Sequence, residues 1–424
     1  MNKKEKISCT LLLAGSLFTA VPVLAAETPE TLESRIGRLE QKLASQPSVT
    51  TASGTNVQFY GFARFDASYD TGQISSGNIA LWTQPKTAGQ NDAEWNLTAG
   101  ATRLGLNLSG PDTKSMKLTG NIEFDFLSKD SSSENNQLPR LRHGYLKAYW
   151  PASDFSIIAG QTWDVISSLI PFVDDPALMW DAGNIGTRHP QLRFTKGFSA
   201  GEKGHIEVAA AASRTIGEKN NTTGIIATDP GKDAAMPTIQ GRIAYSAPFL
   251  VKTQPATIGI SGHYGQEEWD TDIQGNHKTL DSWSCNLELT MPICPKMTLA
   301  GEYFTGSNLD DYNGGIGQGV NPSPSMMKEI RSNGGWAALR FAFNPETSFS
   351  LGAGIDDPNN NDLSVSSPSM LNPRTKNQTI FGTLVNKIKP NLILGLQLAQ
   401  WKTDYYNGDR GNALRAQSSL TYKF

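Results

Sequence analysis

The chain predicts an all-β protein closed into a 16-stranded antiparallel transmembrane β-barrel, preceded by a short N-terminal helical coiled-coil segment. Three observations carry that expectation. From Val57 to the C-terminus, apolar and polar residues alternate at period two, the mark of strands with unlike faces. The segments between those strands alternate between tight turns and long loops. The 424 residues are only 38% hydrophobic, with a mean hydropathy of −0.36. No stretch beyond the N-terminus offers the about 18 consecutive apolar residues that a helical span needs.

Composition removes several other classes. Three cysteines are too few for a disulfide scaffold, and 40 glycines without a period exclude a collagen-like chain. A formal charge of −3 gives no electrostatic footprint for nucleic acid, so none is expected as a partner.

The elements follow in order. Lys3, Lys4 and Lys6 open the chain, and Ile7 to Leu24 is mostly apolar with a break at Pro22. Val23 and Ala25 then stand where a leader is cut, so residues 1–25 read as an export signal that takes Cys9 with it. Its loss leaves 34 basic and 39 acidic residues, a net charge of −5. Within 26–56, Leu32, Ile36, Leu39 and Leu43 form an a/d seam of about two heptads. Such a helix is marginal alone and suits an oligomer already gathered by another interface. Pro47 and the Ser/Thr-rich run to Asn56 form a linker.

The barrel is expected over 57–424, with strands near 57–69, 102–110, 115–127, 140–150, 154–163, 189–197, 204–214, 237–247, 255–267, 280–291, 296–306, 334–344, 347–356, 377–388, 391–403 and 413–424. In Met116–Phe126, for example, Met116, Leu118, Ile122, Phe124 and Phe126 share one face, and Lys117, Thr119, Asn121, Glu123 and Asp125 the other. Fourteen or eighteen strands are the counts that the same pattern leaves open. Short connections include Pro111–Lys114, Pro151–Ser153, Pro292–Pro295, Asn344–Thr347 and Pro390–Asn391. Long ones include 70–101, 127–139, 164–188, 214–236, 306–333 and 356–376. A membrane barrel sorts its connections in this way, because its two ends face different compartments. Lipid cannot satisfy an open sheet edge, so the strands must close. The apolar face then meets outer-membrane lipids and the polar face lines water. Tyr69, Trp150, Phe155, Trp283, Tyr303, Phe343, Tyr422 and Phe424 fall towards strand ends, as interfacial girdles do. Cys285 and Cys294 lie far apart along one hairpin and read as two independent small residues.

The segment Ser418–Phe424, alternating and ending in Phe, resembles the signal by which Gram-negative outer-membrane barrels are received for assembly. That resemblance implies a barrel-assembly machinery as a partner through Phe424. The runs Tyr60–Asp70, Arg103–Leu106, Arg140–Tyr145, Gly160–Trp163 and Arg188–Phe194 resemble the dicarboxylate-type porins of the DcaP-like family, as does a coiled-coil segment before the barrel. The resemblance covers most of the N-terminal half and the extreme C-terminus; between about 200 and 412 only the strand–loop pattern is shared. It implies a homotrimer of pores passing small anionic solutes.

Parity places Arg64, Arg103, Lys147, Arg193, Arg242, Arg340 and Arg415 on the lumen face, together with Asp66, Glu123, Asp125, Glu207, Glu288 and Glu302. Charges of both signs set up a transverse field, and a local excess of arginine favours carboxylates through fork-like bonds. Arg64, Arg103, Arg193 and Arg242 with Lys147 form the expected anion-attracting strip, although lumen arginines can also simply satisfy lumen acids. His143 shares their parity. Loop 164–188, with Asp174, Asp175, Asp181 and Arg188, is expected to fold inward as a constriction, because Val165 to Val173 is too apolar for a free loop. The other reading is an ordinary external loop packed on a neighbour.

Weaker signals point elsewhere. Asp270, Asp272, Gln274, Gly275 and Asp281 have calcium-loop spacing, but Gln at position 5 and Asp at position 12 depart from the pattern. The Gly315–Gly319 run lacks the strand-before, helix-after context of a phosphate loop. No nucleophile elbow or His-Glu-x-x-His pattern appears, so no enzyme, metal or cofactor is expected. The leading expectation is an outer-membrane porin for passive diffusion of small hydrophilic, anionic (dicarboxylate-like) solutes. The alternative is a structural, adhesive or enzymatic outer-membrane barrel with a closed lumen.

Overall fold

The structure, a computed structural model, describes residues 48–424 except 76, 87–90, 112, 114, 128–136, 215–229, 271–275, 322–326 and 364–371. The chain divides into two units, Met1–Val49 and Thr50–Phe424. The expected leader and the expected coiled-coil helix lie outside the described residues.

The second unit is an antiparallel barrel whose wall has sixteen strand positions among the described residues. They are β1 (Asn56–Asp70), β2 in two pieces (Glu94–Thr98 and Arg103–Ser109), β3 (Lys117–Asp125), β4 (Arg140–Trp150), β5 (Phe155–Trp163), β6 (Arg188–Ala200), β7 (Gly204–Ser213) and β8 (Thr238–Pro248). The wall continues through β9 (Pro255–Asp270), β10 (His277–Cys294), β11 (Met297–Ser307), β12 (Arg331–Ala342), β13 (Thr347–Pro358), β14 (Arg374–Lys389), β15 (Leu392–Tyr405) and β16 (Arg410–Lys423). All sixteen expected segments are strands. Consecutive strands pair, and β1 pairs with β16, with Phe65 opposite Leu420 and Asp70 opposite Arg415. No sheet edge is therefore left for lipid to meet.

Local chemistry explains the turns. In the β12–β13 turn, Asn344 Oδ1 accepts from the backbone N–H of Glu346 (3.0 Å) and Thr347 (2.7 Å). After Pro151–Ser153, Asp154 adopts φ 46°, and its backbone N–H closes on the Pro151 carbonyl. At the opposite end most connections are long, but 271–276 and 406–409 are brief, so the sorting by length is not strict.

Side chains obey the alternation. Phe65, Tyr69, Trp95, Leu192, Ile243, Ile260, Leu287, Leu351, Ile380, Leu398 and Leu420 are exposed on the outer face. Of the expected girdle, Tyr69, Trp283, Tyr303, Phe343, Tyr422 and Phe424 are exposed there. Trp150 and Phe155 are half-buried, tilted against each other at 5.6 Å.

Three departures from the sequence reading have physical causes. Loop 70–101 contains the first piece of β2, a short run whose Trp95 and Leu97 continue the outer face. In β4 the register slips between the pairs Glu123–His143 and Phe124–Leu141, so Arg142 is an extra residue that turns inward beside His143. Such a bulge reverses parity below it. Finally, the inner face is not uniformly polar. Trp336, Ala338, Phe381, Ala399, Trp401 and Ala413 are buried there as an apolar seat, covered by Ile74, Ala80, Met179 and Ala182 from two long loops.

Candidate functional site

The site grows from the connection between β5 and β6, residues 164–187, which lies across the inside of the barrel. Its neck is pinned by Asp164. That carboxylate meets His189 Nδ1 at 2.9 Å and accepts from Gln240 Nε2 (2.9 Å) and the Thr187 N–H (3.0 Å), while its own N–H donates to the Thr187 carbonyl at 2.9 Å. The outgoing limb then passes the inner faces of β8 to β11. The Val165 N–H donates to Gln240 Oε1 at 3.0 Å. Ile166 is buried against Ile185, Phe304, Leu309 and Tyr312. Val165 and Ile166 are thus covered as expected, whereas Ile170 stays exposed.

The tip reaches the far wall. The Asp174 N–H donates to Gln397 Oε1 on β15 (2.7 Å), and Arg64 Nη2 on β1 donates to the Asp174 carbonyl (2.7 Å) and pairs with its carboxylate (3.4 Å). Asp175 pairs with Arg415 of β16 (3.6 Å) and accepts from the Ala80 N–H (3.2 Å). On the return, Asn377 Nδ2 donates to the Asp181 carbonyl (2.7 Å) and the Asp181 N–H to the Asn313 carbonyl (2.9 Å). Here the chain runs against bare wall: a Cβ on Gly354 of β13 would collide with the Ala182 carbonyl oxygen and the Met179 Cε.

The expected charged residues fall into three groups. Some are neutralised. Arg64 holds Asp66 at 2.6 Å as well as Asp174; Arg242 pairs with Glu207 at 2.6 Å and with Glu288; Arg415 is buried between Asp70 (3.2 Å) and Asp175. A second group crowds around Glu123 and Asp125. Arg142 binds both, at 2.6 and 2.8 Å; Arg140 holds Asp125 at 2.7 Å; Arg103 reaches Glu123 only at 3.9 Å. Tyr60 Oη donates to Glu123 at 3.0 Å. Sequence reading missed Arg142, because simple alternation from Lys147 assigns it outward. Its signal was the Arg140–Leu141–Arg142 run, too polar for the lipid face.

A third group has no carboxylate within 4 Å among the described residues. Lys147 lies over the Tyr149 ring at 5.7 Å, and Arg193 bonds to Gln191 Oε1 (2.8 Å) and the Trp163 carbonyl. Arg340 lies 5.8 Å over Phe172 of the loop. Arg188 is buried, 4.2 Å over the Trp163 ring and 5.9 Å from Trp180, with Nη1 lacking a hydrogen-bond partner among the described residues. The inserted loops cover the apolar seat on β12 to β16. Tyr60, Arg103, Asn107, Asn121, His143, Lys147 and Arg193 line the inner wall of β1 to β6. On that side Glu123 is already bonded to Arg142, whereas Lys147 and Arg193 have no carboxylate within 4 Å among the described residues.

No disulfide joins Cys285 and Cys294. Most of the calcium-like spacing lies outside the described residues; Asp281 itself accepts from Tyr264 Oη (3.0 Å) and Gln266 Nε2 (2.9 Å).

No family model matches the chain, and no curated protein sequence matches it. Solved structures do. The outer membrane channel DcaP of Acinetobacter baumannii superposes with a TM-score of 0.72 at 17% identity, covering 89% of this chain and 99% of that one. Salmonella typhi OmpF in complex with daunomycin gives 0.55 at 10% identity, over 89% of this chain and 100% of that one. The anion-selective porin from Comamonas acidovorans gives 0.52 at 14%, over 87% and 100%. The fold of this chain is therefore the sixteen-stranded barrel of outer-membrane porins.

Proposed function

We propose that the chain is a passive diffusion channel of the Gram-negative outer membrane for small hydrophilic anions of the dicarboxylate type. One observation carries the reading. Loop 164–187 crosses the lumen and leaves beside it a wall on which Arg103, Lys147 and Arg193 are not closely paired with carboxylates. Fixed cations along a narrowed, water-filled path lower the barrier for anions and raise it for cations. Arginine adds fork-like bonds to carboxylates. The loop residues Asp174, Asp175 and Asp181 serve to hold the loop in place, and Arg188 adds positive charge beneath it. The anion-selective porin from Comamonas acidovorans, similar in fold, is consistent with this reading.

In the same reading residues 1–25 are an export leader, and 26–56 are a periplasmic helix and linker that supports a homotrimer. Phe424 is the residue offered to the assembly machinery. Planar-bilayer recording of the purified protein tests the proposal. Three equal conductance steps per insertion and a reversal potential favouring anions under a salt gradient are expected. Cation preference overturns the selectivity, and a silent barrel overturns the channel.

A further inference from the structure

Glu302 has the position of a pore-lining acid on β11, yet its carboxylate is spent on the loop. It accepts from Ser167 Oγ (2.8 Å), the Leu169 N–H (2.8 Å) and Trp336 Nε1 (3.0 Å). No Lys or Arg lies within ion-pair distance of it among the described residues. Its cross-strand partner is another carboxylate, Glu288. Like charges directly opposite on neighbouring strands are unfavourable, so the pair needs a compensating reason. Loop 164–187 supplies it. Ser168 Oγ donates to Glu288 at 2.9 Å, so adjacent serines divide between the two acids, and Arg242 neutralises Glu288 from the other side.

The loop needs these acceptors. Ser167 sits at φ 48°, a left-handed conformation that non-glycine residues seldom adopt. With the chain turned in this way, the half-buried Ser167 hydroxyl and Leu169 N–H both reach one buried carboxylate, which needs donors as much as they need an acceptor. Trp336, paired with Glu302 in the strand register, fixes the carboxylate from the wall side. Asp164 anchors the neck of the loop and Asp174 and Asp175 its tip, with the Glu302–Glu288 pair between them.

We propose that Glu302 is a positioning residue: it sets the distance between the outgoing limb of loop 164–187 and the wall, and thereby the aperture beside the loop. This rests on the channel reading above. Glu302 acts by hydrogen bonding rather than by charge on the passing ion, and that distinction makes it testable.

The experiment compares single-channel recordings of the full chain and E302A. Assembly is checked by the difference in gel mobility between heated and unheated samples. E302A is expected to show roughly twofold greater open-channel current noise and closure at lower voltage, as expected when a loop loses a local anchor. Its reversal potential is expected to match that of the wild type. E302Q, which keeps one acceptor oxygen but turns an amide N–H₂ towards the remaining donors, is expected to fall between. If E302A does not assemble, Ser167→Ala removes a donor from the loop side and carries the same expectation. Wild-type noise and closure in an assembled variant would overturn the assignment, as would a shifted reversal potential with unchanged noise. A silent wild-type barrel would instead overturn the channel reading.

Discussion

Arg415 is buried with a carboxylate from β1 and one from the inserted loop, and it also donates to Ser68 Oγ (3.1 Å) and the Gly77 carbonyl (3.0 Å). Removing the guanidinium would leave Asp70 and Asp175 buried without compensation, a situation that costs about 3–5 kcal/mol. R415A is expected to lower the unfolding temperature of the purified barrel accordingly, read from loss of the compact form on unheated gels. Adding D70N and D175N should restore part of it. Asp362, in the connection between β13 and β14, gives a pH prediction. Partial burial pushes its carboxyl up, but bonds from Arg331 Nε (2.7 Å) and Lys328 Nζ (2.7 Å) outweigh that and hold it down, at about 2. A depressed carboxyl contributes fully above its ordinary range and loses that contribution as pH falls through the folded value. Resistance of this connection to pepsin should therefore be constant down to about pH 4 and fall towards pH 2. D362N should be sensitive across the whole range.

At the scale of elements, strands and loop obey different rules. Every expected strand formed, because period two follows from backbone pleating and needs no distant partner. Its energetic content is measurable: Leu398, exposed in the middle of β15, faces lipid, and L398R is expected to cost about 2–4 kcal/mol in equilibrium unfolding from bilayers. The first piece of β2 escaped notice because five residues carry too little alternation. Arg142 escaped because a bulge depends on pairing with β3. The loop obeys packing against the wall. Gly354→Val places a branched side chain where the Ala182 carbonyl lies, and should change single-channel conductance while the barrel still shifts on heating. Unchanged conductance would show that the loop tolerates displacement.

The whole molecule is defined by a seam. The Phe424 N–H donates to the Gly61 carbonyl (3.1 Å), the Gly61 N–H returns a bond to the Phe424 carbonyl (3.2 Å), and the Phe424 ring stacks on Phe59 at 5.6 Å. Phe424 thus locks the first strand to the last. By itself the sequence determined the strands and, outside the β4 bulge, their outer and inner faces, since apolar alternation is a local property. Tertiary structure decided which inner basic residues are left without a close carboxylate. Arg242 and Arg415 have the same parity as Lys147 and Arg193 but are consumed by ion pairs. Glu302 meets Ser167 across 135 residues of chain and is consumed by the loop. Parity fixes the face of the sheet, but the neighbours across the barrel depend on register, on bulges such as the one in β4, and on closure. Those are set only when β1 and β16 meet.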